Sequence, residues 1–333
     1  MTTAVSGVKP SGTLHLGNYL GMIRPALRLA ARSDRSFYLI ADYHALNTLR
    51  DAARLREFTL DVAASLLALG LDPGRTALYR QSDVPETFEL ATILSAVTPK
   101  GAMNRAHAYK AAVAANEAAG RQADEGVNMG LYTYPILMAG DILLVDGDLV
   151  PVGRDQVQHV EIARDLADAF NTTFGATLRP PAADVDPDVE VVPGLDGRKM
   201  SKSHGNTIPL FADPESRRRL VARIRTDSRR PEEPKDPATC LVFSLYRQFA
   251  SEAERESMGR RYREGVIGYA EAKACLEAAI ECELGEAGKR FRELRGDESR
   301  LRAVLADGAD RARGAARATL SRVRDAVGTG PPL

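Results

Sequence analysis

The run Phe37-Tyr38-Leu39-Ile40-Ala41 is apolar at every position, and it constrains the fold more than any other feature of the chain. A strand with one face in water alternates apolar and polar residues. A strand apolar on both sides has to be covered on both, the condition of an interior strand in a parallel sheet. The next stretch supplies cover. Asp51 can cap a helix whose apolar residues Leu55, Phe58, Val62, Leu66 and Leu69 recur at three- and four-residue spacing, and Gly70 then stops it with Pro73 just beyond. Thr76-Ala77-Leu78-Tyr79 reads as the following strand. Strand, helix and strand of these lengths predict a βαβ unit, with a right-handed crossover and ligands at the carboxyl ends of the strands.

A length of 333 residues accommodates one large α/β domain and a smaller companion. The expected division is a Rossmann-type parallel-sheet catalytic domain over 1–204, with a helical insertion at about 99–128, and an all-helical portion over 205–333. The insertion is rich in Ala, Asn, Gly and Lys and weakly periodic. A Pro-rich stretch, 180–193, leads through the apolar run between Val189 and Val192 into a lysine loop. Asp213 as N-cap and Pro214 at the first helical position open the helical portion, and 240–328 has no strand pattern. The last helix is free to return to the catalytic domain.

Lys and Arg balance Asp and Glu at 45 each, so bulk charge does not select a partner; residues 205–333 carry 25 basic against 21 acidic side chains, a mild excess. Cys240, Cys275 and Cys282 form no CxxC pair and no zinc spacing, and are expected to be inert buried thiols, with no metal site. The start of the chain has no charged segment followed by a long apolar one, and no apolar window reaches membrane-spanning length, so a cytoplasmic protein is expected.

Two segments carry the chemistry. Lys199-Met200-Ser201-Lys202-Ser203 places two ammonium groups on a loop of small, flexible residues, suited to following charge as it builds on a departing pyrophosphate. Gly7-Val8-Lys9-Pro10-Ser11-Gly12-Thr13-Leu14-His15-Leu16-Gly17-Asn18 turns into a helix start, where free backbone N–H groups favour phosphate oxygens. Gly17 would allow close approach of adenine or ribose, and His15 and Asn18 add ring and amide donors. Either segment alone could be an ordinary solvated turn; the pair is specific.

The two segments resemble the HIGH and KMSKS signatures of the class I aminoacyl-tRNA synthetases, in the form found in the tryptophan-specific branch. Further segments are similar in the same order: Ala41-Asp42-Tyr43-His44-Ala45, Gln81-Ser82-Asp83-Val84-Pro85-Glu86, Tyr134 to Leu143, Val150 to Gln156, and Thr226-Asp227-Ser228. The resemblance runs from residue 5 to about 295. It implies an enzyme that activates L-tryptophan with Mg²⁺·ATP and transfers it to tRNA(Trp), acts as a homodimer, and contacts the anticodon through its helical portion. Some members hold an iron–sulfur cluster in that portion, but the comparable stretch, Gly268 to Lys273, has no cysteine, so none is expected.

The resemblance assigns catalysis to Lys199, Lys202 and His15. It assigns ATP binding to Lys9, Pro10, Ser11, Gly17, Asn18, Gly153, Arg154, Asp155, Val192, Lys199, Met200, Ser201, Lys202 and Ser203, with Met200 as a hydrophobic anchor. Tyr134, Met138 and Asp141 recur at spacings of four and three on one helix face. An aspartate there is ordinarily a cap or an ion-pair member; by resemblance Asp141 accepts the indole N–H, and Tyr134, Met138, His44, Val150, Val152 and Gln156 shape the pocket. Where many members have an aromatic residue this chain has Val5, and near Ala108, where many have glutamine, it offers His107 and Tyr109. The rivals are a tyrosyl-specific synthetase, a HIGH-type nucleotidyltransferase without tRNA, and a non-catalytic binding paralogue. Arg217, Arg218, Arg219, Arg223 and Arg225 read first as a solvated helix face and second as a phosphate-contacting one.

Overall fold

The computed structural model describes residues 1–185 and 191–330, apart from the Asp155 side chain; of the run at 189–192, Val189 and Glu190 lie outside the described residues. Five strands, β1 (Thr3–Val8), β2 (Arg35–Ile40), β3 (Thr76–Arg80), β4 (Leu149–Pro151) and β5 (Ala182–Asp184), form one parallel sheet in the order β3-β2-β1-β4-β5. The all-apolar run belongs to β2, paired on both sides: Phe37 lies opposite Val5 of β1 and Ala77 of β3. Its alternate residues serve two cores. Tyr38 and Ile40 join Val8 and Leu78 on one face, and Phe37 and Leu39 join Val5, Ala77 and Tyr79 on the other.

After β1 the chain enters a short helix α1 (Leu16–Asn18), one π-helical turn (Tyr19–Ile23) and α2 (Arg24–Arg32). Beyond β2 come α3 (Asp42–Ala45) and α4 (Ala52–Ala68). Asp51 caps α4 by accepting from the Ala53 and Arg54 N–H groups at 2.9 and 3.1 Å. Gly70, at φ 100°, turns the chain so that Leu71 N–H reaches Leu66 O at 3.0 Å, and β3 follows. The stretch between β3 and β4 holds α5 (Glu86–Val97), α6 (Lys100–Arg105), α7 (His107–Ala118) and α8 (Met129–Leu143), and α9 (Val157–Phe174) precedes β5.

Strand β5 is absent from the sequence expectation, which treats 180–193 as a Pro-rich connection. Its three residues form a strand because β4 offers a partner, with Leu149 opposite Ala182 and Pro151 opposite Asp184. The strand order reverses between β1 and β4, with β2 and β3 on one side and β5 on the other, so the carboxyl ends of these two parallel strands flank a crevice, the usual ligand position in such sheets.

From residue 214 onward the described elements are helices: α10 (Pro214–Ala222), α11 (Leu241–Tyr246), α12 (Glu252–Glu264), α13 (Tyr269–Gly296) and α14 (Glu298–Val327). Asp213 caps α10 by accepting from Ser216 N–H at 2.8 Å. The α14 helix lies along the outer strand β3. A Cβ on Gly308 would sit 1.9 Å from Leu78 O, so only glycine permits this approach, and the helix covers an otherwise open sheet edge. Arg313 and Arg317 reach Glu86 on α5, and Arg324 reaches Glu89.

The thiols depart from expectation. Cys282 is exposed and Cys240 and Cys275 are half-buried, because α13 presents positions 275 and 282 away from its packed stripe of Leu276, Ile280 and Leu284. No described helix is long and apolar enough to cross a membrane.

Candidate active site

Leu14 to Leu16 and Ile208 to Leu210 bring the two motif segments together. Leu16 N–H donates to Ile208 O at 3.0 Å, and Leu210 N–H donates to Leu14 O at 2.9 Å. This backbone pairing hangs the lysine loop over the end of β1. Met200, 4% exposed, anchors it: Met200 N–H donates to Val192 O at 2.9 Å, and its sulfur accepts the Gly17 N–H at 3.2 Å. The close approach at Gly17 is made by protein, since a Cβ there would meet His15 Nδ1 at 3.0 Å and Met200 Cβ at 3.2 Å.

His15 caps α1 reciprocally. Its Nδ1 accepts Asn18 N–H at 3.3 Å while Asn18 Oδ1 accepts His15 N–H at 3.1 Å. With Nδ1 accepting, the proton resides on Nε2, so the ring is a neutral donor. Burial, then the charge of Lys202, lowers its pKa to about 4. Lys202 itself is held below the ordinary lysine range, first by desolvation and then by Lys9. Gly12, at φ 129°, leaves the space Lys202 occupies: a Cβ there would lie 3.2 Å from Lys202 Nζ. Among the described residues neither Lys9 nor Lys202 has an ion-pair partner. Two like charges held near one another without a carboxylate make a place for a polyanion.

Lys199 and Ser203 are exposed on the loop, and Ser201 and Ser203 hydroxyls meet at 2.9 Å. Pro10 is buried; Lys9 and Ser11 are exposed, with Ser11 N–H turning back to Lys9 O at 2.9 Å. The residue that shapes the loop, Asn206, is absent from the sequence reading. Buried at 3% exposure, it accepts Ser201 N–H at 2.9 Å and donates to Asp196 Oδ1 at 2.7 Å and Lys199 O at 3.2 Å. Its sequence signal is slight: a single asparagine three residues past the motif.

A second group lies at the ends of β2, β3 and β4. Asp141, on α8 and 6% exposed, accepts from Gln81 Nε2 at 3.0 Å (Oδ1) and 2.8 Å (Oδ2), and its Oδ2 lies 3.2 Å from His44 Nε2 on α3. Burial pushes the Asp141 carboxyl up, and the His44 and Gln81 contacts draw it back. Tyr134 packs between His44 and His159, at ring-centre distances of 6.2 and 5.3 Å, with its hydroxyl bonded to His159 Nε2. Met138 and Val152 are half-buried against the core that contains Val150 and Val5. Gln81 and His159 contribute here although the sequence reading gave neither a role.

Gly153, Arg154 and Gln156 form the short turn after β4, with Arg154 and Gln156 exposed; the Asp155 side chain lies outside the described residues. Tyr109 donates to Asp124 at 2.6 Å and packs on Tyr132 of α8, while the backbone N–H of His107 donates to Gln158 Oε1 of α9 at 2.9 Å. The arginine run divides. Arg217 is buried and paired with Glu281, which corrects the solvated-face reading for that residue, because α13 packs over it. Arg218 reaches Glu277 at 3.3 Å, and Arg219 and Arg223 are exposed.

A five-stranded parallel sheet with a donor-rich helix start and a lysine loop over one crevice defines a class. The pattern described as tRNA synthetases class I (W and Y) matches residues 1–285, and the chain belongs to that family. Within it, the similar proteins include tryptophan–tRNA ligases of several bacteria. The chain is 48% identical to the tryptophan–tRNA ligase of Neisseria meningitidis over 98% of each chain. It is 49% identical to that of Pseudomonas aeruginosa, over 98% of this chain and 74% of the other. The Campylobacter jejuni tryptophanyl-tRNA synthetase, solved with ADP and tryptophan, superposes with a TM-score of 0.87 at 38% identity, covering 98% of this chain and all of that one.

Proposed function

We propose that this chain is a tryptophan–tRNA ligase: it activates L-tryptophan with ATP and transfers the acyl group to tRNA(Trp). The observation that carries the reading is the seating of Met200 on Gly17, which holds the lysine loop against the His15 segment. The tryptophan carboxylate attacks the α-phosphate, pyrophosphate leaves, and the terminal adenosine hydroxyl of the tRNA then takes the acyl group. The first step needs no protein nucleophile, so positioning and charge stabilisation account for it. Lys9, Lys199 and Lys202 follow phosphate charge; Nε2–H of neutral His15 and the Asn18 amide donate to phosphate oxygens; Gly153 and Asp155 meet the ribose, Asp155 accepting a hydroxyl hydrogen bond. Mg²⁺ arrives with the ATP phosphates as part of the substrate.

Asp141 accepts the indole N–H, with Tyr134, Met138, His44, Val150 and Val152 as walls and Gln156 at the amino-acid end. The helical portion meets the tRNA through exposed residues that include Arg219 and Arg223. A second copy docks on the exposed apolar group Tyr43, Leu46 and Met129, which Asn47 ties together by donating to Gly130 O at 3.2 Å.

The test is amino-acid-dependent pyrophosphate exchange with all twenty amino acids, followed by charging of tRNA(Trp). Exchange with tryptophan alone is the expected result; exchange driven by tyrosine would replace the reading with the tyrosyl one. Asp141→Ala should weaken tryptophan binding by about 1–3 kcal/mol, the cost of a buried donor without a partner, and reduce discrimination against phenylalanine. Unchanged ratios would make Asp141 structural.

A further inference from the structure

We infer that Gln81 is a specificity-determining residue, which positions the Asp141 carboxylate so that one oxygen stays open to the indole N–H. The inference rests on the reading of Asp141 given above and names the residue that makes it work.

Gln81 is fully buried, and among the described residues its side chain hydrogen-bonds only to Asp141. Its own Oε1 is buried with no hydrogen-bond partner among them. A glutamine that leaves its carbonyl oxygen unpaired stabilises the fold poorly, and a packed apolar side chain would serve better in a purely structural role. What this glutamine does achieve is local. Its single amide nitrogen spans both carboxylate oxygens, which fixes the rotation of the carboxylate about its last torsion. Oδ2 then receives Gln81 and His44, while Oδ1 receives Gln81 alone. Each carboxylate oxygen offers two lone-pair sites, so the open one is on Oδ1.

A neutral donor also matters electrostatically. Asp141 is faced by His44 and Asp42 from α3, by Tyr79 from β3 and by Gln81 from the turn after β3. Burial and Asp42 favour the protonated carboxyl, which would present an O–H to the indole instead of an acceptor. His44 and Gln81 oppose this. The amide supplies that support without a competing cation and at a fixed angle.

The test compares tryptophan with the analogue in which sulfur replaces the indole N–H, by pyrophosphate exchange between pH 5.5 and 8.5. Gln81→Met preserves size and removes the donor. It should reduce the tryptophan-to-analogue ratio of kcat/KM by about tenfold, the equivalent of one hydrogen bond. The KM for ATP should not change, and the KM for tryptophan should climb as pH falls, because the acceptor is lost as the carboxyl gains its proton. A merely structural role would weaken both amino acids equally and leave the pH profile flat; that result overturns the inference. Asp141→Ala separates the two readings. A ratio that collapses there but survives in Gln81→Met removes Gln81 alone, and a ratio that survives in both removes the reading of Asp141 and this inference with it. If Gln81→Met does not fold, Gln81→Glu places two acids together and should make tryptophan binding steeply pH-dependent; a flat profile in that variant also overturns the inference.

Discussion

His15 is kept neutral by its surroundings, and this has consequences for stability as well as chemistry. Its pKa in the folded protein is about 4 against an unfolded value near 6.5. Above pH 6.5 neither state binds the proton and the residue contributes nothing. As pH falls from 6.5 toward 4 the unfolded chain takes up a proton that the folded one refuses, so stability declines, and the decline stops below pH 4. Between pH 7 and pH 5 the loss should be about 2 kcal/mol. Urea unfolding of the wild type and of His15→Gln at both pH values measures it: the variant should lose that much less over the interval. Lys202 makes a different prediction. On the proposed reading both loop lysines meet charge as it moves onto the leaving pyrophosphate, so Lys202→Ala and Lys199→Ala should each slow single-turnover adenylate formation by on the order of 3 kcal/mol while tryptophan affinity stays constant. Weakened binding with an unchanged rate would remove both lysines from catalysis.

The lysine loop is an element with almost no secondary structure, and Asn206 supplies what a helix or strand would otherwise provide. One buried amide satisfies Ser201 N–H, Lys199 O and Asp196 together. Gly194 is matched to it, since a Cβ there would lie 2.3 Å from the Asn206 side chain. Asn206→Ala should leave the fold intact and lower kcat/KM for ATP by about a hundredfold, because a loop free to sample other shapes spends less time in the productive one. Steady-state exchange with varied ATP, beside equilibrium tryptophan binding, reports this; an ATP dependence equal to wild type would make Asn206 a packing residue only. The neighbouring Asp196 is held to a pKa of about 2, first by Asn206 and then by Arg198, so the network keeps its charge throughout the working pH range.

Across the whole molecule the arginines of α10 and its C-terminal end do two jobs at neighbouring positions. Arg217 lies between α10 and α13 with its guanidinium on Glu281, whereas Arg219 and Arg223 face solvent. Arg217→Glu should destabilise the protein by several kcal/mol in urea unfolding, because a carboxylate buried at this position would face Glu277 and the exposed Glu281 without a cation. Arg219→Glu with Arg223→Glu should leave stability and pyrophosphate exchange alone. If these two arginines touch tRNA phosphates, the double variant should flatten the salt dependence of tRNA binding by about two units of slope. A slope equal to wild type would place the tRNA elsewhere.

Local features of this chain were readable without a structure. The two-sided apolar β2, the Asp51 cap and Gly70 stop of α4, β3, and the Asp213-Pro214 start of α10 depend on residues within one turn or one strand, and such signals survive in one dimension. So did the two motif segments, because the chemistry of each is carried by contiguous residues. Contacts between distant segments were not readable. Strand β5 forms three residues from a Pro-rich stretch only because β4 pairs with it. Arg217 is buried because a helix some sixty residues later packs over it, as its 64-residue separation from Glu281 records. The same limit hid Gln81, 60 residues from Asp141, and the docking of Gly17 on Met200 across 183 residues. Spacing along a chain specifies which side chains share a helix face or strand, but burial and the choice of hydrogen-bond partner are set by the packing of whole elements, which tertiary structure alone decides.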